Sequence, residues 1–126
     1  MGWRTEAVAD GSYLHLIAEG PISTEEVLAQ VHHGVALILE QQLPGAMVDY
    51  SAAILEMPIV DIYKMPDWFE AVALPRGTRI AVVLPADPVN MHKYTFFDDV
   101  ATNRGYRVRL FWEPSRAVDW LNGGPV

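Results

Sequence analysis

A few side chains in this sequence are of the types that do chemistry. Asp49, Tyr50 and Ser51 place a carboxylate, a phenol and a hydroxyl in three consecutive positions. Asp87, directly before Pro88, offers a second carboxylate at the start of a helix. If their strands are parallel neighbours, these four residues share one rim, where acid–base groups stand beside the backbone N–H groups of a helix end. The plainer reading is that Asp49 hydrogen-bonds the chain just after it. His32-His33 and Asp98-Asp99 are adjacent pairs on helical stretches. Neighbours on a helix point about 100° apart, so neither pair converges on one metal ion, and both read as solvent-facing. His15 and His92 have no evident partner. Without cysteine there is no thiolate zinc site, no cysteine nucleophile and no disulfide framework. The glycine-rich phosphate loops, G-x-S-x-G and H-E-x-x-H are missing as well. No catalytic residue, metal site or cofactor is expected. An enzyme using Asp49, Tyr50 or His92 as acid or base ranks last, because spacing puts no two such groups in mutual reach.

Two further sets suit binding. Met57, Met65 and Met91 with Tyr94 and Phe97, and Met47 nearby, could line an adaptable apolar pocket. Trp3, Trp68 and Trp112 could anchor an interface, since tryptophan is enriched in binding hot spots. Aromatics and methionines at such spacing also serve as ordinary core.

The elements that must position these residues read as follows. Trp3 to Val8 is a short edge strand, Asp10-Gly11 a turn, and Tyr13 to Ala18 the second strand of a hairpin that Gly20-Pro21 breaks. Ser23 with Glu26 three residues later is a capping box. Val27, Leu28, Val31, Val35, Ile38 and Leu39 then recur at helical spacing over about residues 24 to 42, ended by Pro44-Gly45. Ala46 to Tyr50 is a short buried strand, and residues 51 to 57 are ambiguous. Pro66 divides residues 58 to 73 into two short helices or kinks one. Arg79 to Leu84 is a continuous apolar run, typical of a central strand covered on both faces. Asp87-Pro88 opens a helix that ends at Arg104 before Gly105. Tyr106 to Trp112 is a strand, and a last helix follows Glu113-Pro114. The order β-β-α-β-α-β-α-β-α implies an α/β fold, a four- to five-stranded mixed sheet with helical cover.

The 126 residues suit a single domain, residues 1–126, and 51% hydrophobic residues supply a real core. A formal charge of −7 repels phosphate backbones and anionic membranes, so nucleic acid is not an expected partner. Arg104, Arg107 and Arg109 are the one basic cluster and read as an outer face. No segment reaches the roughly 20 apolar residues of a membrane span, and no signal peptide is visible at the start. A cytoplasmic protein is expected.

Gly20-Pro21-Ile22-Ser23, Val48-Asp49, the run Arg79-Ile80-Ala81-Val82-Val83 and the tail from Gly105 to Leu121 together resemble the SpoIIAA-like, or STAS-like, domains. The nearest group is the bacterial branch of uncharacterised STAS/SEC14 domain proteins, and the resemblance spans about residues 12 to 122. It implies a sheet packed by helices and a noncatalytic, regulatory or protein-interaction role. Classical members carry a phosphorylatable serine in Asp-Ser-Ser-Gly where the helix after the third strand begins. Met57-Pro58-Ile59-Val60 stands there in this chain, and Ser51 lies too early to replace it. The partner expected is a protein, a homodimer included. The alternative is a carrier or sensor of a small apolar, lipid-like ligand.

Overall fold

The computed structural model describes residues 2–6, 12–86 and 90–123. They build one five-stranded sheet in the order β1-β2-β3-β4-β5. β1 (Trp3–Glu6) runs antiparallel to β2 (Leu14–Ile22); β3 (Gly45–Leu55), β4 (Arg79–Val83) and β5 (Arg107–Phe111) follow in parallel. Four helices separate the parallel strands: α1 (Thr24–Gln41), α2 (Ile59–Tyr63), α3 (Met65–Ala71) and α4 (Met91–Asn103), and α5 (Pro114–Leu121) closes the chain. The mixed α/β sheet expected from the sequence is therefore present. The Asp10-Gly11 turn and the Asp87-Pro88 helix start lie outside the described residues.

The two faces of the sheet are unequal. α1 to α4 cover one face, over a large core that includes Leu14, Ala18, Tyr50, Ile62, Phe69, Val82 and Tyr94. Among the described residues only α5 covers the other, setting Ala117, Trp120 and Leu121 on Met47, Ala81 and Val83. α5 sits close because β3 begins with glycine. A Cβ on Gly45 would come within 2.8 Å of the Arg79 carbonyl oxygen and 2.9 Å of Leu121 Cδ2. After Arg79, β4 is apolar and buried because both layers press on it.

Local chemistry sets the ends of the elements. Ser23 Oγ accepts the Glu26 N–H and the Glu26 carboxylate accepts the Ser23 N–H, so the capping box forms. α1 closes at Gln42 in the left-handed region (φ 54), with the Gln42 and Leu43 N–H groups both on the Ile38 carbonyl. α3 begins at Met65 with Pro66 in its first turn, right after α2, so of the two readings it is the pair of short helices that forms.

Two strands run longer than the sequence suggests. β2 does not break at Gly20-Pro21 but continues to Ile22. Glu19 donates its N–H to Gly2 on the β1 side, whereas Ile22 accepts from Glu56 on the β3 side. Pro21, two residues after Glu19, therefore aims its missing donor past the end of β1, where no ladder bond is lost. β3 likewise runs on through residues 51 to 55. It carries a bulge: between the pairs Ile17↔Asp49 and Glu19↔Ala52, β2 advances two residues and β3 three. The extra residue reverses the alternation, so Ala46 and Tyr50 before it, and Ala53 and Leu55 after it, all reach the main core.

Candidate functional site

The bulge decides what the Asp49-Tyr50-Ser51 run can do. Asp49 and Ser51 lie away from the main core, and Asp49 Oδ1 accepts the Ser51 N–H at 2.9 Å. That bond ties the turn of the bulge, the local role a carboxylate takes two residues before an N–H. Tyr50 points the other way and is buried in the main core. The three side chains therefore do not converge. They stand mid-strand, because β3 continues to Leu55, and Asp87 lies outside the described residues.

Tyr50 instead belongs to a buried polar group that nothing in the sequence motifs announces. Its hydroxyl donates to Gln30 Oε1 at 2.5 Å. Gln30 is a polar residue on the buried stripe of α1, between Val27 and Gly34, and is 4% exposed. Its position on that stripe was the available signal. The ring of Tyr94 meets that of Tyr50 edge to face at 6.3 Å. Gln30 Nε2 and the Tyr94 hydroxyl are buried with no hydrogen-bond partner. Burial pushes the Tyr94 phenol up to about 12. Burial raises Tyr50 too, helped by Tyr94 and by the Glu26 carboxylate and opposed by the bond to Gln30. Both phenols are therefore neutral O–H groups at ordinary pH.

These three residues line a cavity of about 130 Å³ between the sheet and α1 to α4. Met57, Met65, Tyr94 and Phe97 are in its wall; Met91 is not, although it packs against the same core. The rest of the wall is almost wholly aliphatic or aromatic, with Leu16, Val35 and Val82 among its members. At ~24 cal/mol per Å³, an empty space of this size forfeits about 3 kcal/mol, a large part of a domain's usual stability.

The surface holds a second feature. Ile54, Ile59, Val60 and Tyr63 are exposed at 55%, 39%, 59% and 65%. All four fall within ten residues, from the end of β3 through α2. Single exposed apolar residues are ordinary, but a short helix that shows three of its five is not. Of the three tryptophans, Trp112 is exposed just beyond β5. Trp3 and Trp68 are half-buried against the main core, Trp3 beside the ring of His33 at 5.4 Å.

The other candidates are dispersed. His32, His33 and His92 are exposed, and His15 is half-buried in β2. Among the described residues no three His, Cys, Asp or Glu side chains are grouped to hold a metal. Arg104 does not join Arg107 and Arg109 in a basic patch. It pairs with Glu70 (2.7 Å) and Asp67 (3.0 Å), and Arg76 shares Glu70 at 2.7 Å. This network ties α3 to the turn after α4. No helix among the described residues is long and apolar enough to cross a membrane.

No family profile and no curated protein matches the sequence. Solved structures do match. The anti-sigma factor antagonist SpoIIAA in its unphosphorylated form is 16% identical with a TM-score of 0.55, over 96% of this chain and 98% of that one. The phosphorylated form of the Bacillus cell fate determinant SpoIIAA gives 13% and 0.52, over 94% and 98%. An uncharacterised DUF3478 protein with a SpoIIAA-like fold from Shewanella loihica PV-4 gives 17% and 0.58, over 94% and 91%. With its mixed five-stranded sheet matched along nearly its whole length, this chain has the SpoIIAA-like fold.

Proposed function

We propose that this chain is a noncatalytic regulatory module that works by binding a protein through α2 and the end of β3. The observation that carries the reading is the run of exposed apolar side chains Ile54, Ile59, Val60 and Tyr63. Burying four such residues against a partner is worth several kcal/mol at ~25 cal/mol per Å². The likeness to an anti-sigma factor antagonist supports a regulatory role. A phosphoserine switch is not part of the proposal. α2 starts at Ile59 behind Pro58, which makes no side-chain cap bond, and Ser51 sits in the bulge six residues upstream of Met57. A second copy of the chain, in a bacterial cytoplasm, is the first candidate partner, with Trp112 as a further anchor. The whole chain then acts as a single domain, and the cell's reducing interior suits its lack of cysteine.

The test is a photo-crosslinking amino acid placed at position 60 and, as control, at the exposed Glu40 on α1. In living cells, position 60 should yield one dominant protein adduct, a second copy or another chain, that position 40 does not. Val60→Asp combined with a crosslinker at position 63 should abolish it. An adduct pattern at position 60 no different from that at position 40 would overturn the reading.

A further inference from the structure

The exposed side chains Ile54, Ile59, Val60 and Tyr63 are not in the wall of the cavity behind Gln30, and its shape and chemistry carry a separate conclusion. We propose that it is a binding site for a small, neutral, mainly apolar molecule that carries one acceptor oxygen, such as a ketone, aldehyde or ester on an aromatic ring or short chain. Three observations fix this class. The first is size: about 130 Å³ is close to the roughly 150 Å³ of an engineered apolar cavity that takes up benzene, so one ring with a short substituent fits. The second is hydrogen bonding. Tyr50 already satisfies Gln30 Oε1, which leaves the Gln30 amide N–H groups and the Tyr94 O–H without acceptors. An acceptor oxygen brought to either donor supplies what that donor lacks. The third is charge. No Lys, Arg or His stands in the wall, so a carboxylate or phosphate would be buried without a counter-ion, and the Glu26 carboxylate already acts on Tyr50.

Water alone does not fill the cavity. One water, which takes up roughly 30 Å³, can accept from these donors. The rest of the ~130 Å³ is walled almost wholly by apolar groups that offer further waters no partner. Met57 and Met65 in that wall give it unbranched side chains that can adjust to an occupant. The inference stands whether or not α2 docks a protein.

The test uses acetophenone and ethylbenzene, which share a skeleton and differ by the carbonyl oxygen. Each is titrated into the full chain with methyl-labelled NMR detection. Acetophenone should bind saturably, one to one, shifting the methyls of Leu16, Val35 and Val82. It should bind about tenfold more tightly than ethylbenzene, and Gln30→Leu should remove most of that difference. Ala46→Leu, which fills space at the same wall, should block both probes and serves if Gln30→Leu does not fold. Failure of both probes to saturate, shifts centred on exposed residues, or equal affinity for the two probes would each overturn the assignment.

Discussion

Tyr50 and Tyr94 give the polar core a test with its own control. Replacing either by phenylalanine deletes one oxygen from a buried ring, at 6% and 3% exposure. The structure makes the two losses opposite in sign. The Tyr94 hydroxyl has no partner, so Tyr94→Phe removes a buried polar group that was never satisfied. Such groups cost roughly 1–3 kcal/mol. The adjoining cavity lets the hydroxyl relax, which points to the low end: a gain of about 1 kcal/mol in the empty protein. Tyr50→Phe deletes the donor of a 2.5 Å bond and leaves the Gln30 amide with no partner, a loss of about 2 kcal/mol. Urea unfolding followed by tryptophan fluorescence at pH 7 should therefore separate the two variants by about 3 kcal/mol at unchanged m-value. Equal destabilisation by both would refute the reasoning, because it would mean that the Tyr94 hydroxyl is bonded.

The same phenols set an alkaline limit. Both have folded pKa values raised above 10.0, so their contribution is complete below pH 10 and is lost as pH rises past it, while the unfolded chain ionises first. Unfolding midpoints measured across this range should fall for wild type, and less steeply for Tyr94→Phe. Gly45→Ala should cost about 2 kcal/mol by forcing α5 off the β3–β4 surface, seen as a lower urea midpoint; a neutral result would show that α5 is not seated there. Ser23→Ala should cost about 1 kcal/mol through the lost cap of α1, measured by thermal unfolding under circular dichroism.

The parts that the sequence shows clearly are those written in local chemistry. The capping box at Ser23 and Glu26, the division at Pro66 and the apolar run of β4 each depend on neighbours within a few residues. The parts it hides depend on distant pairing. Pro21 reads as a strand breaker until the end of β1 is known, and the extension of β3 needs a bulge that only its register with β2 defines. That bulge is also why Asp49, Tyr50 and Ser51 looked like one group and are not. Met57, Met65, Tyr94 and Phe97 could be marked as pocket residues by type, but Gln30 could not. Its partner Tyr50 lies twenty residues away on another element.

The central claim, that this chain works by binding a protein through α2, is tested most directly by native mass spectrometry. The chain is isolated gently from the cells that make it, alongside the Val60→Asp variant. The account predicts a complex of fixed stoichiometry, with a second copy or another protein, that the variant loses. A bare monomer for both, or a complex that the variant keeps, would contradict it.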